Sequence, residues 1–296
     1  MDKMAEFNEL FRTRLEEGPE GIKVAEAAGK KYIKTRLREE AFSRKILPPE
    51  IVTKGELQRN ESDDGLYKLI DIEPDSSAFA LNFRAEAPAE YVTGSRFKVN
   101  FYKIESQRFE KQEAELLAHE APITKILETN SVFDIQTVED QTFYAAMVAS
   151  VTGSTRDSVS TDVTITRPNL ASSFKLLLAN KLKAHAMLMT EELFADVEGW
   201  DADTVGAELA GKITVSGYDE PTLLKKKIIV TNKADIVNNR ELWLFTKPEY
   251  MGKFFILEET KFWINKVADM IEWKSWEYVG AGIGNANSFA RLTYTG

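Results

Sequence analysis

The side chains that usually carry chemistry are scarce in this chain, and their spacing suits no known site. His119 and His185 are its only two histidines. They are too few for a histidine-rich metal centre and fall outside any HExxH pattern. His185 sits on the apolar stripe of a predicted helix, which gives it a hydrogen-bonded packing role. His119, beside Glu120 and Pro122, reads as a loop or helix-end residue. With zero cysteines there is no disulfide framework, no thiolate ligand and no cysteine nucleophile. Asp196, Glu198, Asp201 and Asp203 lie close together but lack the DxDxDG spacing and twelfth-position glutamate of a calcium loop. They read as a solvated or inter-subunit acidic surface. The run Gly280-Ala281-Gly282-Ile283-Gly284 invites comparison with a dinucleotide loop, which needs a following helix and a later acidic residue. Here the remainder reads as a strand and no acidic residue follows Glu277. The run is therefore expected to be a tight turn between the last two strands, where glycine tolerates positive φ. No GxSxG elbow, Walker or kinase motif is present. No catalytic residue, cofactor site or metal site is expected.

The composition agrees with that reading. The 296 residues are 43% hydrophobic and 29% charged, which suits a folded chain with a sizeable core. The first twenty residues are charged throughout, so no secretory signal is expected, and no stretch has the apolar length of a membrane span. The net charge of −9 disfavours tight, sequence-independent nucleic-acid binding by the whole surface. Charge is unevenly spread. Residues 21–45 carry eight basic and three acidic side chains, a net +5, and residues 190–220 carry nine acidic against one basic, a net −8. Four of the five tryptophans, Trp243, Trp263, Trp273 and Trp276, fall near the C-terminus with no basic patch interleaved. They are expected in a core or a protein interface.

The elements follow from periodicity. Residues 1–46 read as helix, break at Gly18-Pro19, and helix, ending before Pro48-Pro49. Residues 50–110 switch to alternation, with Phe79, Leu81 and Phe83 on one predicted strand and Phe97, Val99 and Phe101 on another. A ribbon with one apolar face is marginal alone and needs a surface to lie on. Beyond residue 112 the pattern is mixed. A helix is expected to open at Thr137-Val138-Glu139-Asp140, with the threonine as cap, and to run through Phe143, Met147 and Val151. Val163 to Ile165 reads as a short strand, and Pro168 opens a helix whose stripe runs from Leu170 to Met189. Strands follow at Lys227–Thr231, Leu242–Phe245, Phe254–Leu257, Trp273–Val279 and Phe289–Tyr294. The class is α+β.

The order of these parts resembles a known family. After Val138-Glu139-Asp140 come Thr166-Arg167-Pro168, Met187-Leu188-Met189, Glu192-Leu193-Phe194 and Trp200. Gly217 and the run Thr222 to Thr231 follow, and then Tyr250-Met251-Gly252-Lys253, Trp276-Glu277-Tyr278, Gly282, Asn285 and Ala290. Taken in sequence, these strings are similar to the major capsid proteins of tailed bacteriophages, with the Hong Kong 97-like fold. The resemblance spans roughly residues 20–296 and is most specific in the C-terminal half. It implies a helical N-terminal arm over 1–49, an extended E-loop ribbon over 50–110, and a peripheral domain with a long spine helix over 111–168. An axial domain would occupy 169–280, and 281–296 would return as a strand to the peripheral domain.

The resemblance implies a structural protein that assembles with itself as hexamers and pentamers into an icosahedral shell. The shell would enclose double-stranded phage DNA without sequence-specific binding. Portal and possibly scaffolding or decoration proteins are the implied partners, the virion capsid the implied location, and the host cytoplasm the place of assembly. No membrane partner is implied. Inter-subunit contacts are expected at Lys30, Lys31, Lys34, Arg36, Tyr67, Phe79, Phe97, Glu191, Glu192, Asp201 and Asp203. No large scaffolding-type N-terminal domain, maturation cleavage site or crosslinking lysine, asparagine and glutamate set is recognisable. An encapsulin-like nanocompartment holding protein cargo and a soluble hydrolase using paired carboxylates are the competing readings.

Overall fold

Central strands buried on both faces organise the chain. Ala186–Thr190 and Glu241–Phe245 have no exposed residue, and such strands read as unbroken apolar runs because each face meets a different layer. The computed structural model describes residues 38–59, 65–89, 91, 93–112, 114–115, 123–200, 222–223 and 225–295. The first described elements are α1 (Phe42–Ile46), β1 (Pro49–Ile51), β2 (Gln58–Arg59), β3 (Leu66–Asp71) and β4 (Arg96–Asn100). Then come β5 (Tyr102–Glu105), β6 (Phe109–Gln112), α2 (Ile123–Val151), β7 (Asp157–Ser160) and α3 (Arg167–Leu178). They are followed by β8 (Ala186–Thr190), α4 (Glu191–Glu198), β9 (Thr222–Leu223), β10 (Lys226–Thr231) and β11 (Glu241–Phe245). β12 (Gly252–Val267), β13 (Met270–Ile283) and β14 (Phe289–Tyr294) complete the order.

Three sheets result among the described residues. A six-stranded sheet runs β7-β14-β11-β8-β10-β9, a five-stranded sheet runs β1-β12-β13-β5 with β6 also on β13, and β2-β3-β4 form a third. Alternation along β8 and β11 divides the core. Leu188, Trp243 and Phe245 face one cluster with Ile135, Phe143 and Met147 of α2 and Phe254 and Val279 of the five-stranded sheet. Met187, Met189, Leu242 and Leu244 face the opposite cluster with Leu170 and Leu177 of α3 and Leu193, Phe194 and Val197 of α4. The hairpin β12–β13 thus belongs with β5 and β6, and the last strand joins the six-stranded sheet. The chain passes from the six-stranded sheet to the five-stranded one near residue 250 and back again after Ile283.

Several expected elements change. The stripe from Leu170 to Met189 is two elements. α3 stops at Leu178, Lys181 turns the chain at φ 60, and Met187-Leu188-Met189 is buried strand β8. The apolar residues of a two-sided strand happened to continue the helical spacing. His185 therefore leaves the predicted packing role and lies exposed in the loop before β8. The strand expected at Val163–Ile165 is absent, and Asp157–Ser160 pairs with β14 instead. Phe79, Leu81 and Phe83 form no strand. The helix expected to open at Thr137 begins at Ile123, and its 29 residues extend about 44 Å. Thr137 does not cap it, because its hydroxyl donates to the Phe133 carbonyl at 2.8 Å, one turn back.

The glycine run is not a turn. Gly280 to Ile283 continue β13, and glycine is required there by close approach. A Cβ on Gly282 would meet Val99 Cγ2 at 2.6 Å, and one on Gly284 would meet Phe97 Cε1 at 2.8 Å. A Cβ on Gly252 would lie 2.1 Å from the Gly282 carbonyl oxygen, which is backbone and cannot swing aside. Gly252→Ala is expected to part β12 from β13 at this end, with a loss of about 1–3 kcal/mol or more, the range for overpacking. Thermal denaturation followed by circular dichroism checks this, and an unchanged midpoint would contradict the close approach.

Candidate functional site

The feature that stands out is a segment whose large apolar side chains have nothing beneath them among the described residues. β3 and β4 pair antiparallel from Tyr67↔Asn100 to Asp71↔Arg96, and Ile72 N–H donates to the Ser95 carbonyl at 2.8 Å. Between Ile72 and Ser95 the described residues form no helix or strand, and they are exposed. Phe79, Leu81, Phe83 and Tyr91 are 54%, 46%, 111% and 91% exposed. Large side chains left in water together mark an interaction surface rather than a packing failure.

The root of this ribbon is firmly held, which matters because an adhesive tip needs a rigid mount. Val99 is fully buried against Val52 and Phe255, with Phe97, Phe101 and Ile70 packed around them. Phe101 stacks on Phe255 with centroids 6.1 Å apart, and Lys68 lies over the other side of the cluster, 4.9 Å from the Phe255 ring. Tyr67 is half-buried in β3, with Lys98 Nζ 4.1 Å from its ring centroid. Phe97 packs on Gly282 and Gly284 of its own chain. Of the three aromatic residues expected at contacts, Phe79 is exposed, with no partner among the described residues, while Tyr67 and Phe97 are engaged at the root.

A second construction fixes the segment leading in from the N-terminus. Glu139 and Asp140 face inward from α2 and are almost fully buried. Arg44 clamps Glu139 through Nε to Oε2 at 2.8 Å and Nη2 to Oε1 at 2.7 Å. The same Nη2 donates to Glu277 Oε1 at 2.7 Å, and Thr260 donates to Glu277 Oε2 at 2.8 Å. Asp140 accepts the Phe42 and Ser43 amides at 3.2 and 2.9 Å, closing the start of α1, and pairs with Lys233 Nζ at 2.6 Å. Upstream, Glu39 accepts from Thr231 Oγ1 at 2.9 Å and from the Asn232 amide at 3.0 Å. The Val-Glu-Asp string thus caps a different helix from the one it was expected to open.

Electrostatics follow from burial. Desolvation pushes the Glu139 carboxyl above its ordinary value, against the opposing effect of the Arg44 hydrogen bonds. Desolvation also disfavours the Arg44 charge, but hydrogen bonds and attraction from Glu139 and Glu277 outweigh it and raise its pKa. The sequence carries a faint signal of this cluster. Glu139 falls four residues from both Ile135 and Phe143, on the buried stripe of an amphipathic helix, where a carboxylate must find a partner.

The charged candidates divide. Glu191 and Glu192 are exposed in the first turn of α4, and Asn239 donates to Glu192. Lys30, Lys31, Lys34, Arg36, Asp201 and Asp203 lie outside the described residues, as does His119. The arrangement offers shape, apolar surface and charge for association.

No family model and no curated protein matches the chain. Solved structures do. The capsid of cyanophage P-SCSP1u is similar with a TM-score of 0.63 at 11% identity, over 93% of this chain and 94% of that one. The capsid of a native GTA particle gives 0.58 at 12% identity, over 94% and 97%. A structure from Microbacterium phage Oxtober96 gives 0.61 at 11% identity, over 93% and 97%. Agreement over nine-tenths of each chain shows the fold: α+β, of the Hong Kong 97-like class found in phage capsids.

Proposed function

We propose that this chain is the major capsid protein of a tailed bacteriophage, a structural rather than catalytic protein. Copies assemble as hexamers and pentamers into an icosahedral shell around double-stranded DNA, in the host cytoplasm, with portal and possibly scaffolding or decoration proteins as partners. The observation that carries this reading is the unpartnered apolar ribbon between Ile72 and Ser95, held at a rigid root on a capsid-type fold. A net charge of −9 per copy, repeated over a shell, keeps a packaged polyanion from adhering to the wall. On this reading residues 1–49 are the arm, 50–110 the E-loop and α2 the spine helix. The five-stranded sheet is peripheral, and the six-stranded sheet with α3 and α4 is axial. The axial boundary then follows the sheets, near residue 250, and β14 is axial.

The test is direct. Purified chain at raised concentration is expected to form closed, roughly spherical particles in negative-stain microscopy. A chain that stays monomeric or forms only a small fixed oligomer would count against the capsid role. Particles filled with a co-purifying protein would point to a cargo compartment instead.

A further inference from the structure

The six-stranded sheet ends in cations on one side. β8 and β10 are parallel and start together, at the pair Ala186↔Lys227, and β11 finishes beside them at Phe245↔Ala186. Three loops therefore meet there. His185 ties them, donating its amide to the Phe245 carbonyl at 2.7 Å and accepting from the Lys227 amide at 3.1 Å. These loops expose Lys181, Lys183, His185, Lys225 and Lys247, with Lys226 half-buried between them. Lys247 pairs with Glu249 at 3.5 Å. Lys181, Lys183, Lys225 and Lys226 have no carboxylate partner among the described residues. Lys181 and Lys225 hold φ values of 60 and 61, a conformation that favours glycine or asparagine. At those two turns it is the charged side chain, rather than backbone ease, that the lysine supplies.

The other end of the same sheet is acidic. β8 leaves the cationic loops and, about 17 Å later, delivers Glu191 and Glu192 at the start of α4. Asp235 is exposed in the loop after β10, at that same end. The same short helix also carries Asp196 and Glu198. A surface that pairs with a different surface of an identical copy makes a head-to-tail contact, which closes into a ring when the rotation allows.

We infer that the cationic end of this sheet receives the acidic α4 end of a neighbouring copy, so that the sheets join head to tail around each capsomer. This rests on the capsid reading for its ring geometry. Charge complementarity on one rigid body favours a second copy over nucleic acid, because the chain carries both halves of the pairing. Such contacts fix register and steer association more than they add affinity.

Two charge-reversed chains test it. One carries Lys181→Glu, Lys183→Glu, Lys225→Glu and Lys226→Glu, and the other carries Glu191→Lys and Glu192→Lys. Circular dichroism establishes that each is folded, and sedimentation velocity reads self-association against the unaltered chain. Each variant alone is expected to associate about tenfold or more weakly, because like charges now face each other. An equimolar mixture is expected to recover association, since each contact between unlike variants then joins opposite charges. Variants that associate like the unaltered chain, or a mixture that stays dissociated, would overturn the pairing. Unchanged association with lost retention of added DNA would reassign the cations to nucleic acid and overturn it too. Microscopy of the same samples separates the two levels. Rings that follow this charge logic without closed shells would count against the capsid role alone, and shells indifferent to the reversals against this pairing alone.

Discussion

Replacing residues 73–94 by Asn-Gly is expected to leave a folded, soluble chain that no longer closes shells. The excised residues pack on nothing described in their own chain, and the Ile72–Ser95 backbone bond already brings the ends together. Asn-Gly suits the two-residue hairpin turn this leaves. Stability should therefore change by no more than about 0.5 kcal/mol, as for other exposed positions. Association should respond very differently. A Phe, Leu or Tyr side chain fully buried on a neighbour contributes about 1.5–3 kcal/mol, and each 1.4 kcal/mol is about tenfold in affinity. Losing Phe79, Leu81, Phe83 and Tyr91 together removes several orders of magnitude. A fourfold serine variant at these positions should behave the same way, which separates side-chain burial from ribbon length. Thermal melts and particle counts by microscopy are the measurements. Normal particles from either variant would show that the ribbon is no assembly element.

The second large effect concerns Arg44. Arg44→Met is expected to lower stability by about 3–5 kcal/mol, the usual consequence of leaving buried charge without its partner. Glu139 and Glu277 would then face each other with side chains 0% and 1% exposed and no guanidinium between them. The loss should depend on pH with a definite sign. Burial already raises the Glu139 carboxyl above 4.5, so the folded state holds that proton more tightly than the unfolded state. This contribution is fully present below the unfolded value and is lost as pH rises through the folded value. Without Arg44 the effect grows, and the variant should be less impaired near pH 5 than near pH 8. Adding Glu139→Gln should recover part of the loss, which a simple packing defect would not allow. Urea titrations at both pH values decide the matter. A loss that is the same at both, and unmoved by Glu139→Gln, would mean that Arg44 matters only for its hydrocarbon stem.

Much of the fold was legible in local pattern. Alternation at Phe97, Val99 and Phe101 marked β4 because one face of that strand is buried and the other is not. Lys227–Thr231, Leu242–Phe245 and Phe289–Tyr294 stood out as apolar, β-branched or aromatic runs bounded by breakers. Met187-Leu188-Met189 continues the helical spacing in sequence because a strand buried on both faces has no period of its own, and a preceding helix lends it one. Thr137 has the local pattern of a cap yet sits inside the helix, because hydroxyls bond equally well to a helix start or to the turn behind them, and nothing local distinguishes the two.

The candidate surface divides along the same line. The residues alone give Phe79, Leu81 and Phe83 a shared apolar pattern and segregate charge along the chain. These are properties of composition and spacing, which survive without coordinates. That this pattern lies exposed, with no partner among the described residues, comes from the tertiary structure, because exposure depends on what folds over a segment from elsewhere. Arg44, Glu139 and Glu277 are separated by up to 233 residues, and their union is written in no local motif. The same holds for the glycines of β13, whose missing Cβ atoms make room for Phe97 and Val99 far earlier in the chain. Long-range juxtaposition is set by the packing of sheets against α2, and that packing is a property of the whole core.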